Sequence, residues 1–220
     1  SPIVAVLREQ WRQVLMAMGA RMGENIAYYV VTAFILVYIV NTLGLSKSIG
    51  LSAVLIGSAV EIIAIPLWGA LSDRLDRRPI YLIGAIGTAV GVFAFFALLD
   101  TRSTPAIILA TTVAQVLHGA MYGPQAAFFA ELFGTRTRYS GASIGYQLAS
   151  IVAGGLAPLI ATGLLEAFGS ATPISLYVVL AALLSVAGVL PAKKTRGRSL
   201  AEPVLERTSR SEASSEAATS

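Results

Sequence analysis

GALSDRLDRRP, from Gly69 to Pro79, sets three arginines and two aspartates between two apolar runs. Each run is long enough to cross a bilayer, which takes about 20 predominantly apolar residues. Charge packed this tightly between two spans reads as a cytoplasmic hairpin, because basic loops stay on the cytoplasmic side.

The rest of the chain fits that reading. Of 220 residues, 55% are hydrophobic and only 13% charged, and the mean hydropathy is +0.73. A water-soluble domain of this length has nowhere to hide so much apolar surface. Six spans are expected, over Gly23–Leu43, Ser52–Leu71, Pro79–Leu99, Pro105–Ala130, Gly141–Leu165 and Pro173–Leu190, with Gly, Pro, Ser and most of the charge in the breaks. The fold class is all-α, a polytopic membrane helical bundle, since backbone groups in lipid must be satisfied within their own segment.

Lys and Arg set the orientation. One side carries thirteen, Arg8, Arg12, Arg74, Arg77, Arg78, Arg136, Arg138, Lys193, Lys194, Arg196, Arg198, Arg207 and Arg210; the other carries only Lys47 and Arg102. With Arg21 near a span end, this bias places both ends of the chain in the cytoplasm. The sequence pI of 9.6 is thereby a topology signal and leaves nothing for a nucleic-acid partner to explain. Cys is absent, which excludes disulfides and thiolate metal sites.

Three parts are expected along the chain. Residues 1–21 form a cytoplasmic loop in which Ile3–Val14 is an amphipathic helix at the membrane surface, with Arg8 and Arg12 on its wet side. This stretch lacks the basic start, continuous apolar run and cleavage site of a signal peptide. Residues 22–191 hold the spans, and 192–220, rich in Ser, Glu, Ala and Arg, read as a disordered cytoplasmic tail.

Polar groups inside a bilayer are costly, so each one is a functional candidate. Glu61 stands mid-span with no basic residue within a turn or two, and its charged form is expensive in low dielectric, as a proton-accepting site requires. In the fourth span Gln115, His118, Tyr122 and Gln125 recur at spacings of three and four and make one polar face. His118 is the single histidine of the chain and titrates near physiological pH in its free form. The proton-coupling candidates are therefore Glu61 and His118.

The first span offers Arg21 and Glu24, able to pair three residues apart, with Asn25, Tyr28 and Thr32 deeper in. Arg21 either snorkels to the interface with Glu24 as its neutraliser, or the deeper polar groups meet substrate. The fifth span adds Gln147 beside Ser143, Tyr146 and Ser150, amid small residues that suit helix packing. Gly141-x3-Gly145, Gly119-x3-Gly123 and Gly87-x3-Gly91 mark close helix contacts, and Pro66, Pro124 and Pro158 mark bends. GASIG, Gly141 to Gly145, matches a nucleophile elbow, but that motif needs a strand-to-helix turn with the histidine following, and His118 precedes Ser143. Phosphate-loop, zinc-helix and dinucleotide motifs are absent, and no cofactor or metal is expected.

The GALSDRLDRRP segment resembles the loop signature of the major facilitator superfamily, G-x-x-x-D-R-x-G-R-R, with Asp76 where glycine is usual. Tyr122 to Thr162, YGPQAAFFAELFGTRTRYSGASIGYQLASIVAGGLAPLIAT, resembles the metabolite:proton symporter family within it, and the likeness runs from about Trp11 to Leu190. It implies the carboxy-terminal six-helix half of a twelve-helix carrier, whose partners are protons, a small organic acid or zwitterionic osmolyte, the lipid bilayer of a bacterial inner membrane and a missing amino-terminal half. It also turns the face of Asn25, Tyr28, Thr32, Gln115, Tyr122, Gln125 and Gln147 toward a central substrate cavity. Asp73, Arg74, Arg77, Arg78, Glu131 and Arg138 then form a cytoplasmic gate, in which the arginines reach Glu131. The rivals are a six-helix subunit that dimerises into a pore or carrier and, more remotely, an intramembrane serine hydrolase using Ser143 and His118.

Overall fold

The computed structural model describes residues 8, 10–133 and 138–192, with the side chains of 138–141 and 152 excluded. Most of the Ile3–Val14 surface helix, the side chain of Arg138 and the 193–220 tail thus lie outside the described residues. Every regular element among the described residues is helical. Helix α1 runs Trp11–Thr42, α2 Lys47–Leu75, α3 Arg77–Asp100, α4 Thr104–Leu132 and α6 Thr172–Val189, all long and apolar enough to cross a membrane. Helix α5, 138–168, is assembled from Arg138–Ala149, a π turn at Ser150–Gly154 and the apolar Gly155–Phe168, which follow one another without a break.

The helices overrun the apolar stretches, and most of all α1, which begins at Trp11 inside the segment expected to be a surface loop. The ends follow from local chemistry. Ser46 caps α2 by accepting from the Ser48 N–H at 3.3 Å, proline occupies the first turn of α4 and α6, and Gly169 closes α5 in the left-handed conformation. Asp76 separates α2 from α3 with φ 108° and ψ 152°, a conformation open to glycine and strained for any residue with a Cβ. Its carboxylate accepts the Arg77 N–H at 2.8 Å and so holds the start of α3. The turn has a geometry that glycine adopts without strain, held here by an anchored side chain.

Helix α4 packs on α2 and α3, α1 on α6 and α5, and α3 also on α6, while α1 and α4 meet in the middle. Close approach is built from small residues: a Cβ on Gly123 would lie 2.7 Å from the Ile65 carbonyl oxygen of α2, and one on Gly23 would strike the Ala181 carbonyl of α6. A buried aromatic group, Phe34, Tyr38, Phe95 and Phe96, fills one end of the bundle, where the Tyr38 hydroxyl donates to Asp100 at 2.6 Å. Outward-facing residues are apolar, with Ile62 72% and Val90 71% exposed, as lipid contact requires.

Candidate functional site

The polar groups of the spans converge where α1, α2 and α4 meet. On α2 the buried residues Ala53, Gly57, Glu61 and Ala64 form one stripe at helical spacing, which turns Glu61 onto α4. On α4 Gln115, His118 and Gln125 are buried on the facing side, whereas Tyr122 is 40% exposed. Helix α1 contributes Arg21, Glu24 and Asn25, all buried.

His118 bridges two carboxylates: its Nε2 is 2.5 Å from Glu24 Oε1, and its Nδ1 contacts Glu61 Oε1. The second oxygen of Glu24 accepts from Arg21 Nη1 at 2.5 Å and from Gln125 Nε2 at 3.2 Å, and Arg21 Nη1 also donates to Gln125 Oε1 at 2.9 Å. Arg21 Nε reaches Ser150 Oγ at 3.4 Å, and Asn25 Nδ2 donates to the same hydroxyl at 3.2 Å, which links the cluster to the π turn of α5. The Tyr146 ring lies 3.9 Å from the guanidinium carbon and covers its flat face. Tyr28 packs against the His118 ring with centroids 4.8 Å apart, and Tyr122 stacks on it at 5.6 Å.

Counting donors fixes what this arrangement does with protons. A neutral imidazole carries one N–H, so with both glutamates ionised only one of the two His118 contacts holds a proton. Both are satisfied when the Glu24–His118–Glu61 group holds one proton more, on the ring or on a carboxyl. Arg21, the two glutamates and that extra proton then sum to zero charge, the condition under which ionised groups are tolerated in a dry interior.

Several sequence expectations change in this light. Glu61 has no basic residue within its own helix, but it has a titratable partner in space, His118 from α4. Arg21 does not snorkel to the interface; with 6% exposure it is a buried member of the cluster, and Glu24, at 2%, is its hub. Sequence reasoning left Glu24 aside as a mere neutraliser of Arg21, although an acid inside a span was itself a signal. Gln115 serves as a spacer: Ser58 donates to its Oε1 at 2.9 Å, its Nε2 donates to the Val54 carbonyl at 3.3 Å, and Gly57 leaves it room. Thr32 bonds back to the Tyr28 carbonyl at 2.7 Å, and Gln147 is exposed and outside the network. A cavity of about 200 Å³ among α1, α3, α4 and α6 is walled by apolar side chains, and of the seven expected cavity residues only Tyr28 and Gln115 line it, beside His118. Both ring nitrogens of His118 are engaged by carboxylates, so neither is left to activate Ser143.

At the α2–α3 turn Arg77 pairs with Asp73, donates to Ser72 Oγ at 2.7 Å and meets Glu131 Oε1 of α4 at 3.3 Å. Arg74 is exposed, Arg78 is half-buried, and Glu131 Oε2 is buried with no partner among the described residues.

A helical bundle with apolar outer faces and span-length helices is the architecture of a multi-pass membrane protein. The family model of the Major Facilitator Superfamily matches residues 14–216, and the chain belongs to that superfamily. It is 32% identical over 197 residues to the shikimate transporter of Escherichia coli (strain K12), covering 89% of this chain and 45% of that protein. It is 27% identical to the ectoine/proline transporter ProP of Corynebacterium glutamicum, over 80% of this chain and 35% of the relative, and 25% identical to the proline/betaine transporter of E. coli K12, over 89% and 39%. The chain therefore spans less than half the length of these relatives. These relatives are named as transporters of small metabolites.

Proposed function

We propose that these six helices form one half of a proton-coupled symporter that carries a small organic acid or zwitterionic osmolyte by alternating access. The observation that carries this reading is His118 set between Glu24 and Glu61, a group whose hydrogen bonds close only when an extra proton is bound. A proton that stabilises one packing of α1, α2 and α4 biases a conformational equilibrium, which is the thermodynamic content of coupling. The relatives' names supply two chemical classes, the monocarboxylate shikimate and the zwitterions proline and betaine. The counterpart would be a second six-helix unit on the amino-terminal side, with the substrate held between the two near the midplane of a bacterial inner membrane and the chain ends in the cytoplasm. The Arg77–Glu131 contact, with Asp73 and its neighbouring arginines, would serve as the cytoplasmic gate.

The test uses proteoliposomes containing the protein expressed from its full reading frame, with an acid exterior. Labelled shikimate or betaine should accumulate above equilibrium, and an uncoupler should abolish the accumulation. Accumulation that survives the uncoupler overturns proton coupling.

A further inference from the structure

We propose that the cavity among α1, α3, α4 and α6 is a binding site for the end of a bilayer acyl chain, which enters sideways between α3 and α4 and comes to rest beside Tyr28 and His118. The site is separate from the symport reading and needs only that the bundle lies in a membrane.

The space follows from the sequence of the α3–α4 seam. Along one part of it large side chains fill the room beside each glycine: a Cβ on Gly84 would lie 2.7 Å from Met121, and one on Gly87 2.7 Å from Leu117. One turn further along α3 the filling stops. A Cβ on Gly91 would meet only Leu117 Cδ1, at 3.6 Å, and Ala94, Ala110 and Ala114 carry nothing longer than a methyl. There the helices enclose about 200 Å³, with Val30 of α1 and Val178 of α6 in the lining.

The mouth decides the occupant. Ala94, Leu109 and Val113 line the cavity and are exposed, Leu109 by 57% and Val113 by 50%. Beside them on α3, Val90 and Phe93 are exposed and apolar, as a surface against hydrocarbon must be. Tyr122, which marks the exposed polar face of α4, stands nine residues from Val113, about two and a half helical turns, and so points to the opposite side of the helix. The cavity therefore opens toward lipid and away from the face that would meet a second half.

The walls exclude water and polar solutes. A buried water takes about two to four polar partners. Gln115 and His118 already have theirs in Ser58, Val54 and the two glutamates, which leaves the Tyr28 and Thr88 hydroxyls for a space that would hold several waters. A dry cavity of about 150 Å³ takes up benzene, so this one suits about six to eight carbons of a saturated chain. Left empty, it would forfeit the dispersion contacts of its whole lining, and the filler at its mouth is the tail of a neighbouring lipid. A chain end seated there also keeps water from the His118 ring on the α3 side.

The experiment reconstitutes the protein from its full reading frame in phosphatidylcholine that carries a photoreactive diazirine at the end of one chain. After irradiation, adducts are mapped by mass spectrometry. They should fall on the buried wall residues Val92, Phe95, Ala110 and Val178 as well as on the exposed Ile86. The same lipid with its diazirine next to the glycerol should leave the wall unlabelled. Ala94→Trp, a change at the exposed mouth that asks nothing of the core, should lower wall labelling at least fivefold and leave Ile86 unchanged, and Ala114→Phe should do the same by filling the space from within. Adducts confined to exposed residues in the unaltered protein, or wall labelling undiminished in Ala94→Trp, overturn the proposal; the first of these needs no variant to fold. A free phenyldiazirine that labels the wall where the lipid probe does not would assign the cavity to small apolar solutes and overturn it too. None of these results bears on proton coupling.

Discussion

His118 Nε2 lies 2.5 Å from Glu24 Oε1 while Nδ1 of the same ring contacts Glu61, so one imidazole on α4 ties α1 to α2. These helices also pack directly, with Leu36 and Ile39 against Gly50, but the ring concentrates their polar contact in one titratable group. One proton there decides whether both interhelical bonds are satisfied or only one.

Glu61→Gln tests that linkage. The amide keeps the size and a hydrogen bond to His118 but takes up no proton. In the protein expressed from its full reading frame, uphill uptake driven by a pH gradient should fall at least tenfold while exchange of internal for external substrate stays measurable. Undiminished proton-driven accumulation would show that Glu61 is not part of the coupling group.

Arg77 and Glu131 join the α2–α3 turn to the end of α4 at 3.3 Å, and both are partly exposed. A double-mutant cycle with Arg77→Gln and Glu131→Gln should give a coupling of about 1 kcal/mol in transport or stability. The charge swap Arg77→Glu with Glu131→Arg should recover part of what each single change loses. Strict additivity would leave these arginines with the task of topology alone.

At Asp76 the backbone, with φ 108°, carries strain of order 1–3 kcal/mol for a residue with a Cβ. Asp76→Ala keeps the strain and loses the 2.8 Å bond to the Arg77 N–H, whereas Asp76→Gly loses the bond and relieves the strain. The glycine variant should be the more stable by about 1 kcal/mol, the reverse of the usual order for these two residues next to a helix. Thermal unfolding in detergent reads the difference, and an alanine variant equal to or better than glycine would mean the turn is not strained.

Gly123→Ala should cost about 1–3 kcal/mol, since its Cβ would lie 2.7 Å from the Ile65 carbonyl and force α4 from α2. Gly163→Ala, with nothing within 4 Å of the added carbon, should be neutral or stabilising. Equal melting temperatures for the two variants would contradict the packing of α2 on α4.

The bundle was legible because membrane burial writes itself into composition: apolar runs of span length and a one-sided distribution of Arg and Lys need no tertiary knowledge. The cluster was only half legible. Glu61 and His118 each stood out as costly polar residues, yet 57 positions separate them, and no local spacing says that they touch. The snorkelling alternative for Arg21 came from a first span taken to start at Gly23; with α1 beginning at Trp11, Arg21 lies well inside the helix. Asn25, Tyr28 and Thr32 share a face only while the helix keeps 3.6 residues per turn. The π turn at Val30–Phe34 ends that register, and Thr32 folds back onto the Tyr28 carbonyl.

The split of the cluster among three helices also bears on how the protein enters the bilayer. Helix α1 arrives with Arg21 and Glu24 already paired one turn apart, a dipole rather than two ions. Helix α2 arrives with Glu61 while its partner His118 still waits on α4, two spans later in synthesis. A lone charge at mid-span costs about 2.5–3.5 kcal/mol on insertion scales, so Glu61 stands uncompensated until α4 packs against α2 and brings His118 to it. Completion of this cluster therefore waits on the docking of α4 against α2 during assembly.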